Sequence, residues 1–457
     1  MVRIRVVEGS CWPCKKRRTK CDLTKPVCLR CAKSGANCDY NAQLIRWSTR
    51  PPVRAAPGLH QGLPGLGNNG LEWSEKRALD YFHCRVWPLL QTSEEICPPP
   101  LPVALEHRVV LLAACVLSES HRILQNGTDR GSTFNVRRLE CLAAIKSEID
   151  HCCSEGRGLS GSLLVLLFAV LLLHLHDGFL EPNGADASTA SHRQGVTAIL
   201  AQLGGFVSVL RSGPEPMQML LAEFASADLT TAMLQGTAPS YAPDIWQAVD
   251  EGAVWWGRDP LGRGSLATVL REMSAMAFYH ESIARGVVEL SMDEVRNFEV
   301  AFAWENMPRS PQTLVDGEAS PRDKAHDAPD AVHAIALIRS FQCAALIFLY
   351  RAVCGLPTHH HLVQTSVQSC LACISEISKP SKALHCILFP LFVAGAHALS
   401  SQQRAEVVEL LEVIRDKMRF ASIKAMTDCV NAVWAQQPTE MTWTAMFSHL
   451  GGQVLIL

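Results

Sequence analysis

The most apolar run in this 457-residue chain, Leu163 to Leu173, is eleven residues long and bounded by Ser160-Gly161-Ser162 and His174-Leu175-His176-Asp177. A membrane-spanning helix needs about twenty. The run therefore reads as a central core helix of a soluble protein, with no membrane partner. The opening MVRIRVVEGS has no apolar h-region, so no secretory leader is expected, and Asn126-Gly127-Thr128 is a sequon without a secretory route. Catalytic signatures are missing too: there is no Ser/His/Asp order, no H-E-x-x-H and no G-K-[ST] loop. Gly156-x-Gly158-x-x-Gly161 spells a dinucleotide fingerprint, but it follows the helical stretch Leu139 to Cys153 and not a strand, so no βαβ unit frames it. No alternating stretch rich in β-branched residues is long enough for a sheet. No short repeat period marks a regular solenoid.

Cysteine, in contrast, is concentrated at one end. Cys11, Cys14, Cys21, Cys28, Cys31 and Cys38 are spaced C-x2-C-x6-C-x6-C-x2-C-x6-C, a C-x2-C-x6-C unit written twice. A zinc ion held by thiolates takes four sulfurs in a tetrahedron. Two ions need eight ligand bonds, and six cysteines supply eight only if two of them bridge. Cys11 and Cys28, equivalent in the two units, are the natural bridging pair. A disulfide framework would require an oxidising compartment, and a single-zinc module would leave two cysteines idle.

The charge around these cysteines is uneven. The first unit encloses Lys15, Lys16, Arg17, Arg18, Thr19 and Lys20, whereas Ala32 to Asn37 of the second carries only Lys33. Two Zn²⁺ and six thiolates carry about −2, so part of the basic run balances the cluster and the rest faces outward. One half is built to meet a polyanion and the other to brace it. The run Lys15 to Lys20 also fits a nuclear import signal. Whole-chain net charge is −2, which conceals a split. Residues 1–54 hold thirteen lysines and arginines against Glu8, Asp22 and Asp39, while the remaining residues hold 29 basic against 41 acidic groups.

Residues 11 to 40 closely resemble the fungal zinc-cluster (Zn2Cys6) transcription factors, in the cysteine spacing, the basic KKRRTK, the Cys21-Asp22 step and the Lys25-Pro26-Val27-Cys28 turn. The resemblance implies a small module of two short helices and loops holding two Zn²⁺ per chain. It also implies that the helix after Cys14 enters the DNA major groove, usually at a CGG triplet, with base contact from the positions matching Arg17 and Arg18. The family most often has lysine at the second of these. Arginine can grip the O6/N7 edge of guanine bidentately, so a CGG-type half-site in double-stranded DNA stays the expectation. Lys15, Lys16, Lys20, Lys25 and Arg30 read as phosphate contacts that set register.

From Asn41 to Leu71 the chain is dense in helix breakers, among them Pro51-Pro52, Pro57-Gly58, Pro64-Gly65 and Asn68-Asn69-Gly70. No a/d heptad survives there for two repeats, so the coiled-coil dimeriser common in the resembled family is not expected next to the cluster. The protein then binds DNA as a monomer or forms a homodimer through its large domain.

From Trp73 onward, apolar side chains recur with helical period nearly everywhere. Val109, Leu112, Ala113, Val116 and Leu117 form one stripe, and Val407, Leu410, Leu411, Ile414 and Met418 another. Helices are predicted near 73–91, 105–124, 135–153, 159–176, 190–211, 217–235, 264–290, 292–304, 330–354, 362–378, 382–399, 403–418 and 421–436. Breaks are predicted at Gly127, Gly178, Gly204-Gly205 and Pro308 to Pro321. Mean hydropathy is +0.09 and 48% of residues are hydrophobic, enough to bury a substantial all-α core. Tyr81-Phe82, Val86-Trp87-Pro88-Leu89, Ala225 to Pro239, Trp255 to Gly262 and Cys386 to Leu399 are similar to the helical regulatory domain of the same fungal factors, which implies control of activation, sometimes through a small-molecule effector. Cysteines on these apolar faces, Cys370-x-x-Cys373 and Cys152-Cys153 included, read as small hydrophobes. His359-His360-His361 reads as a solvated loop.

The sequence thus predicts a zinc-cluster DNA-binding domain at 1–40, a Pro/Gly-rich linker at 41–72 and an all-α regulatory domain at 73–457. The expected function is a nuclear, sequence-specific regulator of RNA polymerase II transcription. The alternatives are a co-regulator or ligand sensor whose cluster makes protein contacts, and an enzyme built on the helical body, for which no constellation is visible.

Overall fold

The structure, a computed structural model, describes residues 11, 13–14, 17, 19–35, 38, 70–91, 97–127, 132–154, 160–182, 189–252, 265–303, 328–436, 441–450 and 454–456. The chain divides into two compact units, 1–62 and 63–457.

In the first unit the Arg17 N–H reaches the Pro13 carbonyl at 3.0 Å and the Thr19 N–H reaches that of Cys14 at 3.0 Å, closing a helical turn after the first cysteine pair. A helix, Leu29–Ser34, follows the second pair and ends at Gly35 in the left-handed region, φ 63°. Glycine has no Cβ to clash there. The linker expected at 41–72 falls outside the described residues up to position 69.

The second unit is helical, and its described residues contain no strand. Thr189–Gln202 and Phe206–Ser212 are separate helices turned at Gly204 and Gly205, whose φ of 90° and 97° suit glycine alone. Three helices go beyond the sequence reading: Leu101–Glu106, Ile245–Glu251 and Trp443–Phe447. None is longer than two turns, too short for a period to show. The helix expected over 264–290 stops at Ala284, because Gly286 takes φ 68° and turns the chain.

At Gly178 the structure departs from the expected break. The helix Ser160–Leu175 runs on through a π-turn, His176–Leu180. A glycine removes side-chain contacts but does not stop a helix that neighbours hold in place. Counted through that turn, Gly161–Leu180 is long and apolar enough to cross a membrane, as is Val332–Val353. The sequence run alone understated this. Packing gives the assignment: 89% of the first apolar window and 72% of the second are covered by the protein's own helices. Apolar residues on every face are what a central core helix requires.

Around these two run Arg108–Asn126, Glu215–Gln235 and the wholly buried Leu388–Ala396. Close approaches are made by small residues. A Cβ at Gly395 would lie 2.8 Å from Val407 Cγ1, and one at Gly178 would lie 2.1 Å from Leu455 Cγ. Leu455 also donates its N–H to the Gly178 carbonyl at 3.2 Å, and the Thr230 hydroxyl donates to the Ile456 carbonyl at 2.6 Å. Val454, Leu455 and Ile456 are thereby sewn into the core.

Candidate metal centre and nucleic-acid interface

The six N-terminal cysteines converge. Cys11, Cys14, Cys21 and Cys28 place their sulfurs within 4.8 Å of one another, and so do Cys11, Cys28, Cys31 and Cys38. Cys11 and Cys28 belong to both sets. The measured Sγ–Sγ separations are 3.6 Å for Cys11–Cys28, 3.6 Å for Cys11–Cys31, 3.7 Å for Cys14–Cys28 and 3.8 Å for Cys11–Cys21. A tetrahedron with Zn–S bonds of about 2.3 Å has edges of about 3.8 Å, so the donor set fits two zinc ions. All six are free thiols.

Local chemistry holds the sulfurs in place. Cys28 is the N-cap of Leu29–Ser34, and its sulfur accepts from the Cys31 N–H at 3.3 Å. The Cys28 N–H points at the Cys38 sulfur, 3.4 Å away. Burial pushes the thiols of Cys11 and Cys14 upward, and that of Cys31 to about 12. Burial acts on Cys28 in the same direction, but the Cys31 N–H and the neighbouring thiols outweigh it and bring it to about 6. A helix N-terminus favours thiolate in this way. Metal loading must displace protons from the other sulfurs, so affinity rises with pH.

Asp22 ties the two halves together. Its Oδ2 accepts from the Thr24 hydroxyl at 2.5 Å and from the Leu29 N–H at 3.1 Å. The Thr24 bond, followed by the Leu29 bond, holds the carboxyl at about 2. A fixed anion thus sits at the start of the second helix, where the dipole favours it.

Of the candidate DNA-contacting residues, Arg17, Lys20, Lys25 and Arg30 are described. Arg17, Lys25 and Arg30 are exposed, as is Lys20. Lys15, Lys16 and Arg18 lie outside the described residues. Arg17 Nη1 donates to Ser34 Oγ at 2.9 Å, reaching from the basic unit to the helix of the other.

In the helical unit the sequence decoys resolve as follows. Gly156 and Gly158, and the side chains of Cys152 and Cys153, lie outside the described residues, as does the Trp255 to Gly262 segment. His359 and His360 sit in a turn and His361 opens a helix, with His360 as its N-cap. One arrangement escaped the sequence reading. Ser120 Oγ lies 2.8 Å from His176 Nε2, and His176 Nδ1 lies 2.8 Å from Asp177 Oδ1. Members 56 residues apart leave no local signature. All three are buried, and Asp177 is also paired with Arg138 at 2.6 Å and His192 at 3.0 Å. Burial opposes ionisation of Asp177, but His176, His192 and Arg138 hold it far below the usual carboxylate range. The network fixes the π-turn electrostatically; a nucleophile needs access to substrate, and Ser120 is only 3% exposed.

Comparison with known proteins agrees with this geometry. Residues 9–48 match the Fungal Zn(2)-Cys(6) binuclear cluster domain, and residues 77–456 match the Fungal specific transcription factor domain. A Thiamine biosynthesis regulatory protein of Saccharomyces cerevisiae is 43% identical over 35 residues, which is 8% of this chain and 8% of that protein's length. No solved structure matches the chain. A cysteine cluster fitted to two zinc ions and a helical body matched over nearly its whole length establish that this chain belongs to the fungal transcription factors of the Zn(2)-Cys(6) binuclear cluster family.

Proposed function

We propose that the chain is a nuclear, sequence-specific regulator of RNA polymerase II transcription that reads a CGG-type half-site in double-stranded DNA. The supporting observation is the sharing of Cys11 and Cys28 between two four-sulfur sets, with the exposed cations Arg17, Lys20, Lys25 and Arg30 around them. In this reading Cys11, Cys14, Cys21, Cys28, Cys31 and Cys38 are the zinc ligands, with Cys11 and Cys28 bridging. Bound zinc supplies the folding free energy that so small a module cannot obtain from a core, roughly 10–16 kcal/mol in small zinc modules. Arg17 and Arg18 face bases, while Lys15, Lys16, Lys20, Lys25 and Arg30 hold phosphates. The body beyond residue 73 controls activation, as a homodimerisation surface or the seat of a small-molecule effector. The 35-residue likeness to the thiamine regulator is too short to bring that protein's pathway with it.

Selection of zinc-loaded full-length protein on random duplex pools tests the reading. A CGG-containing motif is expected. With about four phosphates neutralised, the log–log slope of affinity against salt is near −3.6. No enrichment together with a flat salt response overturns DNA reading and favours a co-regulator whose cluster contacts protein.

A further inference from the structure

Val287, Val288, Leu290 and Met292 are each between 43% and 73% exposed, four large apolar side chains within six residues. They occupy the turn after the helix Leu266–Ala284 and the first position of the helix Met292–Ala301. A single exposed apolar side chain is ordinary, whereas a contiguous group marks a contact site. The segment is braced from within. The Val287 N–H donates to the Ser282 carbonyl at 2.9 Å. The Tyr279 hydroxyl donates to the Glu289 carbonyl at 3.4 Å and accepts from the Ser291 N–H at 2.8 Å. Ser291 caps the second helix by accepting from the Glu294 N–H at 3.4 Å. Val295 and Phe298 are buried, and the Phe298 ring lies 5.9 Å from that of Tyr279. One side of the segment is thus anchored in the core. The other presents its apolar side chains in a fixed arrangement, which spares a partner the cost of ordering them.

The charge around this surface selects its occupant. Glu289, Asp293 and Glu294 are exposed and have no ion pair among the described residues; between 287 and 296 they face one exposed cation, Arg296. Arg285, just before, is held by Glu281 at 3.3 Å. A twofold interface pairs a patch with itself, so a second copy docked here would bring these acids together. DNA phosphates would meet the same repulsion. A protein groove with an apolar floor and a rim of lysines or arginines satisfies both features at once. Interleaved acidic and apolar residues are also the composition of activation segments.

We propose that residues 287–294 are a docking surface for a partner protein whose apolar groove is rimmed by lysine and arginine and, resting on the reading of the chain as a transcription regulator, that this partner belongs to the transcription machinery. Val287, Leu290 and Met292 enter the groove, while Glu289, Asp293 and Glu294 meet its rim.

The test attaches the full chain to a heterologous DNA-binding domain at a reporter gene, so that output does not depend on the sequence the zinc cluster reads. The triple variant Val287→Ser, Leu290→Ser and Met292→Ser should cut the change in reporter output about fivefold or more. The neutralised variant Glu289→Gln, Asp293→Asn and Glu294→Gln should cut it about threefold or more. All six side chains are exposed, so Tm and cellular abundance should match wild type. Full output from both variants, or a wild-type fusion that leaves the reporter unchanged, overturns the proposal. Loss from the serine variant alone overturns the basic rim. A wild-type dimer in analytical ultracentrifugation that the serine variant turns into monomer gives the surface to a second copy instead. The reporter is independent of the selection for a CGG-type motif, so DNA reading and partner docking fail separately.

Discussion

Arg17 is hydrogen-bonded to Ser34, Nη1 to Oγ at 2.9 Å, and the Ser34 hydroxyl lies 3.3 Å from the Cys31 carbonyl as its donor. An exposed arginine of the basic unit is thus docked on the helix of the bracing unit. Its guanidinium is held against Ser34 by the protein alone.

That docking separates two substitutions. Ser34→Ala frees Arg17 while leaving its charge. Because the contact is exposed, module stability should change by less than about 1 kcal/mol, and the salt slope of DNA binding should hold. Arg17→Ala removes the cation assigned to a base, so binding should weaken by about 1–3 kcal/mol and selectivity relax at one base position. Salt titrations of both variants on matched and single-base-altered duplexes distinguish positioning from base contact.

Cys28 belongs to both four-sulfur sets, whereas Cys14 belongs to one. Cys28→Ala should therefore release both zinc ions together, and Cys14→Ala should lower content by less. Native mass spectrometry counts the ions directly. Loss of a single zinc from Cys28→Ala would contradict the bridging assignment.

Gly178→Ala places a methyl group where Leu455 already sits. Overpacking a filled core typically costs about 1–3 kcal/mol. The midpoint of urea denaturation should fall accordingly, and Gly178→Ala combined with Leu455→Ala should recover part of the loss. Equal midpoints for wild type and Gly178→Ala would show that the slot is not closed in solution.

Three buried histidines should draw down the stability of the helical unit in acid. Burial, ahead of any neighbouring charge, brings His174, His385 and His397 down to about 3. Neither ring nitrogen of His385 has a hydrogen-bond partner among the described residues. An unfolded histidine protonates near pH 6.5, so between that pH and about 3 the unfolded chain binds more protons than the folded one. Their contribution to stability is full above 6.5 and is lost as the pH drops, by up to about 1.4 kcal/mol per pH unit for each histidine. His385→Phe should flatten the curve of denaturation midpoint against pH between 7 and 5. An unchanged slope counts against the assignment.

The metal centre was legible because zinc chemistry fixes residue type and spacing together. Six cysteines at C-x2-C-x6-C intervals have few other uses, and Cys11 and Cys28 stand out by their equivalence in the repeat. The long helices were legible because Val109 to Leu117 or Val407 to Met418 repeat one choice several times over. The π-turn at His176–Leu180 was not, since a lone glycine is weighed by intrinsic propensity and its neighbours by nothing local. Packing of Leu455 on Gly178 overrides that propensity. The Ser120–His176–Asp177 network arises only when distant helices meet. Helical period states which face is buried, not what it is buried against.

The hydrogen bond from Thr230 to Ile456 spans 226 residues. A contact of that range forms late in folding, after most loop closure has been completed. During synthesis the slot lined by Gly178 and Thr230 exists before the residues that fill it have left the ribosome. The apolar slot therefore stays unfilled until residues 454–456 are made, so the last few residues complete a core begun near the middle of the chain.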